Sequence, residues 1–470
     1  MEGQRDGQRD GQMEPGADPV VEPATQQPAP WRDVFRGRNG RLVAGLLLFE
    51  TLGAIHLLIV STVMPAVLTD LGNLPLYGWS ASAWALAMLG SIPIVSSAAD
   101  RVGTKPLILV TAALYVVGLT ISAVAPSMEI LVAGRFVQGA ASGAAYALSI
   151  SAIAKTMSAA LRPRVLALMA TAWLLPGLFG PLIAGFLADN LSWRWAFIVP
   201  IPFLIASVLM IYPALHDRPD HEAAPAPIGA ALLIMCGAGL FLAGLDGGSV
   251  ASPFLTVVGL VVAVLALRRI VQPGTFIARR GAPAAALCAF LLSMAFTAMD
   301  NYVPLMLTHV RGMSVTAAGV TISVAALTWA LGSWWQSHAV GHRSYGWLVS
   351  VGAMIFLVGL GVTIWVLHGS PLWLIVIAWM AAGFGMGTAF PVIPQAVMAS
   401  AHEGAEAREL SPTLLMDTLG IAVGAGVAGA VIARTSEAGM SLVTGLTIAF
   451  AIAAVAGVMM AALAPRIDLR

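Results

Sequence analysis

The stretch LLLFETLGAIHLLIV, residues 46–60, decides the fold and raises the functional question with it. The run is apolar enough to lie within a bilayer, yet it carries a carboxylate, Glu50, and an imidazole, His56. An ionisable group at bilayer depth costs roughly 2.5–3.5 kcal/mol on insertion scales. Such a residue faces a bundle interior or a watery passage, where it can act on an ion or a solute.

The rest of the chain has the same character. Of 470 residues, 59% are hydrophobic and 10% charged, and mean hydropathy is +0.87. A soluble protein carries roughly 25% charged residues, and no soluble core could bury this much apolar sequence. The chain reads as a polytopic membrane protein. A formal net charge of +1 with no basic block argues against a nucleic-acid partner. Cys236 and Cys288 lie in apolar runs and imply no disulfide framework. No metal-ligand spacing, nucleotide-binding glycine loop or Ser/His/Asp grouping occurs, so no cofactor, metal or enzymatic activity is expected. Residues 1–34 open with GQRDGQRDGQ and continue rich in Pro, Ala and Gln, which predicts a disordered tail.

A hydrocarbon core about 30 Å thick takes helices of about 20 residues. Apolar runs of that order lie at 41–67, 77–99, 106–126, 128–153, 164–188 and 194–213, then 228–246 and 252–269, then 283–308, 314–337, 346–368, 371–400, 409–433 and 440–464. That predicts fourteen spans in an all-α protein. With the N-terminus inside, cytoplasmic loops and helix ends collect eighteen Lys/Arg, and outer loops three: Arg194, Arg311 and Arg434. That bias places both termini in the cytoplasm.

The first and last six spans resemble each other at a shift near 240. MPAVLTDLG (64–72) aligns with VPLMLTHVRG (303–312), matching Pro65 to Pro304 and Thr69 to Thr308. PGLFGPLIAG (176–185) aligns with GIAVGAGVAG (420–429), matching Gly180 to Gly424 and Gly185 to Gly429. The repeat predicts pseudo-symmetric six-helix bundles at 35–214 and 282–465, joined by a linker at 215–281 that adds two transmembrane helices, with a short tail at 466–470. Repeated halves with a site at their interface are how many secondary transporters are built.

Three motifs carry a family resemblance. SSAADRVGTKPL (96–107) resembles the G-x-L-A-D-R-x-G-R-K loop of the major facilitator superfamily, with Asp100, Arg101, Gly103 and Lys105 in place. The carboxylate is expected to dock on the positive N-terminus of the helix beginning near Leu410, as a conformational lock. LVAGRFVQGAASGAA (131–145) resembles the superfamily's fourth-helix motif and supplies Arg135, which the resemblance links to proton coupling. PGLFGPLIAG resembles the fifth-helix signature of the antiporter branch through Gly180, Pro181 and Gly185, and so implies export. The first helix departs from the fourteen-helix drug:proton antiporters it otherwise resembles: His56 stands at the branch's aspartate position.

Five ionisable residues fall inside spans: Glu50, His56, Arg135, Asp300 and Asp417. A six-residue step turns a helix by 600°, so Glu50 and His56 point about 120° apart. Glu50 is expected to carry the coupling proton, with His56 and Arg135 as further coupling residues. Asp300 and Asp417 are expected to meet cationic ligands, on which Trp84, Tyr146, Trp173, Tyr302 and Trp329 could stack. The reading is a monomeric exporter in the cell membrane that trades protons for amphipathic, cationic or neutral small molecules. A lipid or metabolite exporter on the same scaffold is the alternative, an uptake symporter comes next, and a membrane enzyme or receptor is the contrast from another class.

Overall fold

The computed structural model describes residues 31–157, 161–172, 174–215, 227–402 and 406–469. The tail up to residue 30 and most of the polar break at 215–227 lie outside the described residues. Of the residues expected in the tail at 1–34, Trp31–Val34 form a helical turn.

The described chain is helical, apart from one isolated bridge between Val340 and Arg343. Its long helices are α1 (Gly37–Leu71), α2 (Trp79–Val102), α3 (Thr104–Ala123), α4 (Met128–Thr156), α5 (Leu174–Asn190), α6 (Pro200–Ile211), α7 (Ile228–Asp246), α8 (Ser252–Leu267), α9 (Ala282–Asp300), α10 (Val315–Ala339), α11 (Tyr345–Leu367), α12 (Leu374–Ala389), α13 (Glu406–Glu437) and α14 (Leu442–Leu463). Counting the short turns continuous with them, twelve described helices are long and apolar enough to cross a membrane. The other two, α5 with 17 residues and α8 with 16, are shorter. At 1.5 Å per residue they reach about 26 and 24 Å.

The start signals differ between the halves. Ser314, Ser344 and Ser441 cap α10, α11 and α14, each hydroxyl accepting from an N–H three residues on. Gly103 ends α2 and opens α3 at φ +84°, a conformation that costs a side chain dearly.

Packing repeats along the chain. α1 packs on α5 and α6, and α2 and α3 both pack on α4; likewise α9 packs on α13 and α14, and α10 and α11 both pack on α12. The halves meet along two seams that the repeat makes equivalent, α5 against α10 and α2 against α13. The inserted helices pack on each other, and α7 lies over the α2–α13 seam alone.

The repeat is legible at atomic scale. Thr69 donates to the Pro65 carbonyl (3.0 Å) and Thr308 to the Pro304 carbonyl (2.9 Å), the same side-chain bond one turn after each proline. A Cβ at Gly185 would lie 2.5 Å from the Thr316 Cα at the start of α10. Its counterpart Gly429 packs at the start of α2, where a Cβ would lie 3.1 Å from the Gly78 Cα.

Hydrogen bonds between the halves cluster at the end of the bundle that holds Leu71, Asn190 and Val310. There Tyr77 donates to the Asn301 carbonyl (3.0 Å), Ser82 to the Ala422 carbonyl (2.8 Å), and Thr69 pairs with His309 (3.3 Å). The Asp189 carboxylate accepts from Thr316 N–H (2.8 Å) and Val315 N–H (3.3 Å), the first turn of α10. The three arginines of this end are spent on helix termini. Arg194 takes Asp70 (2.7 Å) and the Ala125 carbonyl, Arg311 the Val366 and Ser370 carbonyls, and Arg434 those of Gly244 and Leu245. At the opposite end the chain terminus is anchored too, with Arg466 donating to Ile277 O and Asp468 accepting from Gly346 N–H.

Candidate transport site

Arg135 is 1% exposed on α4, so burying its charge demands dense partnering. Its Nε donates to the Ser80 carbonyl on α2 (3.0 Å) and Nη1 to Gln138 Oε1 (2.8 Å). Gln138 in turn donates to the Gly118 carbonyl (2.8 Å) and Ser122 Oγ (2.9 Å) on α3. The guanidinium lies 5.8 Å from the Trp84 ring, whose Nε1 donates to Ser142. Tyr115 bonds to Ser142 and is within electrostatic reach of both Arg135 and Glu50. The network therefore runs from α3 through α4 and α2 towards α1. Gln138 was legible only as a motif match, and its position one turn beyond Arg135 is what makes it the bridge.

Glu50 is half-buried on α1, and Asp417 is half-buried on α13, where its carboxylate accepts from Ser293 Oγ of α9. Tyr146, half-buried on α4, feels the charge of both. One tyrosine thus reads a carboxyl from each half of the molecule. The second half adds an aromatic group: Trp329 packs edge-on against Phe296 (5.6 Å between centroids) and Phe390 (5.8 Å), with Trp379 behind Phe296 (6.4 Å). Phe296 and Ser293 had no mark in the sequence beyond standing one turn apart on a helix that also holds Asp300.

Other expectations change. Tyr302 is fully enclosed, its hydroxyl donating to the Ala425 carbonyl (3.0 Å) and its ring against Tyr77 (5.2 Å), so it belongs to the seal between the halves rather than to a ligand surface. Asp300 lies in the same seal, bonded to Ser61 of α1. Trp84 is 6% exposed and committed to Ser142 and Arg135. Trp173 and the His56 side chain lie outside the described residues.

Among the described residues, Asp100 makes its ion pair away from α13. It pairs with Lys155 at the end of α4 (3.3 Å), and Lys155 also donates to the Ala99 carbonyl that ends α2. The described hydrogen bonds between the halves lie at the far end, away from Asp100. A carboxylate on a helix N-terminus of the other half does exist, but it is Asp189 on α10. Arg101 is exposed, and Lys105 Nζ lies over the Tyr212 ring (4.6 Å). Gly180 and Pro181 are buried in α5, and the backbone of Pro181 touches Gly319 of α10, so the fifth-helix motif is the close-packing face of the α5–α10 seam. Beside it an apolar groove opens on the flank, lined by Leu178, Phe179, Leu182, Val320, Ser323 and Leu327.

A helical bundle of this length and hydropathy, with charged groups gathered where two repeated halves meet, defines a membrane transporter of small molecules. The family profile of the Major Facilitator Superfamily matches residues 46–408, and the chain belongs to that superfamily, whose members are transporters rather than enzymes. It is 26% identical to a probable multidrug-efflux transporter of Mycobacterium tuberculosis over 453 residues, covering 91% of this chain and 95% of the relative. It is 23% identical to multidrug resistance protein 3 of Bacillus subtilis, covering 83% and 79%. Among solved structures, an auto-inhibited POT family peptide transporter shares the fold with a TM-score of 0.70 at 14% identity, over 92% of this chain and 98% of that one. A bacterial homologue of the human lysosomal transporter Spinster gives 0.67 at 15% identity, over 91% and 96%.

Proposed function

We propose that this chain exports amphipathic, cationic or neutral small molecules in exchange for protons, by alternating access. The observation that carries the reading is the convergence on Tyr146 of Glu50 from the first half and Asp417 from the second. A cation seated there meets negative charge from both halves, and Trp329 and Phe296 offer aromatic faces beside it. The names of the relatives favour drugs as the substrates, and the fifth-helix face favours export. On this reading all fourteen helices span the cell membrane in a monomer, both termini are cytoplasmic, and the sealed end of the bundle is the outer one. A lipid or metabolite exporter is the second reading, favoured by the apolar groove on the α5–α10 flank.

The test separates binding from coupling. Glu50→Gln is nearly isosteric and mimics the protonated acid. In proteoliposomes, substrate-driven proton release and concentrative export should vanish while exchange of a neutral substrate persists. His56→Gln is the matched control and should be milder. Loss of proton release in His56→Gln with retention in Glu50→Gln would transfer the coupling role to the imidazole.

A further inference from the structure

The inserted hairpin is tied to the two halves unequally. To the second half it is fastened at both ends. At the sealed end Arg434 of α13 donates from Nε to the Leu245 carbonyl (2.5 Å) and from Nη2 to the Gly244 carbonyl (3.3 Å), satisfying the last turn of α7. At the other end Gln272, just after α8, donates to the Glu409 carbonyl of α13 (3.4 Å). To the first half it makes one described side-chain hydrogen bond, Trp79 Nε1 on α2 donating to Asp246 Oδ2 at the end of α7 (2.5 Å). The remaining contact with α2 is apolar packing: Met235 against Gly90, Leu86 against Gly239. Such packing can slide, whereas a hydrogen bond between a half-buried indole and a half-buried carboxylate is either made or broken.

We infer that α7 and α8 move with the second half and that the Trp79–Asp246 pair is a latch holding the sealed end shut. Asp246 acts as a positioning residue: it touches no substrate and sets how often the far side opens. Arg434 and Glu437 of α13 and Tyr302, which follows α9, are the other charged or titratable groups near Asp246, and all sit on the second half, so Trp79 is the part that leaves. The inference rests on the alternating-access reading and assigns the inserted pair a role in it.

The test uses the full chain in nanodiscs, with Cys236 and Cys288 replaced by alanine and spin labels on Val124→Cys and Ala438→Cys, exposed positions of the two halves at the sealed end. Trp79→Phe keeps the ring and removes the donor. The long-distance, open population should rise about tenfold, as expected for losing a hydrogen bond to a charged acceptor. Trp79→His, which restores a ring N–H, should recover part of the shift. A short bis-maleimide joining Trp79→Cys to Asp246→Cys should stop transport, and one joining Arg434→Cys to Leu245→Cys should leave it running. Unchanged populations in Trp79→Phe, or transport that survives the first cross-link, overturns the latch. Distances that stay fixed in the unsubstituted background under every substrate and pH condition overturn the alternating-access reading itself.

Discussion

Asp189→Ala isolates an exposed contact between the halves. The carboxylate ends α5 of one half and accepts from two first-turn N–H groups of α10 in the other, at 2.8 Å from Thr316 and 3.3 Å from Val315. Ser314 serves the next N–H, that of Ala317 (3.1 Å), so α10 keeps its own cap when Asp189 is removed. The loss therefore falls on the joint and spares the fold of either half. Deleting an N-terminal capping acceptor costs about 0.5–2 kcal/mol, and a charge near a helix N-terminus contributes about 0.3–1 kcal/mol when exposed. With one short bond and one long one, about 1 kcal/mol is a fair sum, equivalent to about a fivefold shift towards the open state. Spin-label distances between Val124→Cys and Ala438→Cys should report that shift with thermal stability nearly unchanged. Asp189→Asn retains an acceptor and should shift less. A large fall in melting temperature with no change in the distance distribution would refute the reasoning, since it would make Asp189 a fold residue and not a joint.

Asp100→Asn should cut transport while sparing expression and ligand binding. Its bridge to the partly exposed Lys155 is worth about 0–1 kcal/mol, so a loss of stability larger than that, seen by thermal melting, would count against a lock. Ser249→Cys, in the exposed turn between α7 and α8, should react with an impermeant thiol reagent in intact cells, and labelling only after lysis would reject an outer hairpin loop. Gln138→Leu strips partners from Arg135, the Gly118 carbonyl and Ser122 together, and should lower stability by about 1–3 kcal/mol in denaturant titrations; an unchanged midpoint would show the network to be dispensable.

The helices were legible because hydropathy is a property of composition and needs no partner, and they fall within a few residues of the apolar runs, twelve of them long enough to cross a membrane. Arg135 was legible for the same reason: a guanidinium in a span is costly wherever its partners come from. What depends on the meeting of distant segments was not. Asp189 stands in LADN, which reads as an ordinary helix end, and only the fold brings Thr316 to it. Trp79 and Asp246 are 167 residues apart and each looks like an interface residue alone. The enclosure of Tyr302 was not legible, because an aromatic beside a buried aspartate suits a ligand site and a seal equally well. For Asp100 the expected partner was the N-terminus of α13, and the structure gives Lys155, 55 residues along the chain and unmarked by the motif.

The inserted hairpin also leaves the two seams unlike. The α2–α13 seam lies beneath α7, with Leu242, Leu86 and Leu419 in one apolar cluster, whereas the equivalent α5–α10 seam carries only its groove and the exposed side chains of Phe179 and Leu327. An internal duplication would ordinarily give a transporter two matching flanks towards the lipid. Here one flank is shuttered by α7 and the other is left bare, so the duplicated bundle presents two unlike faces to its surroundings.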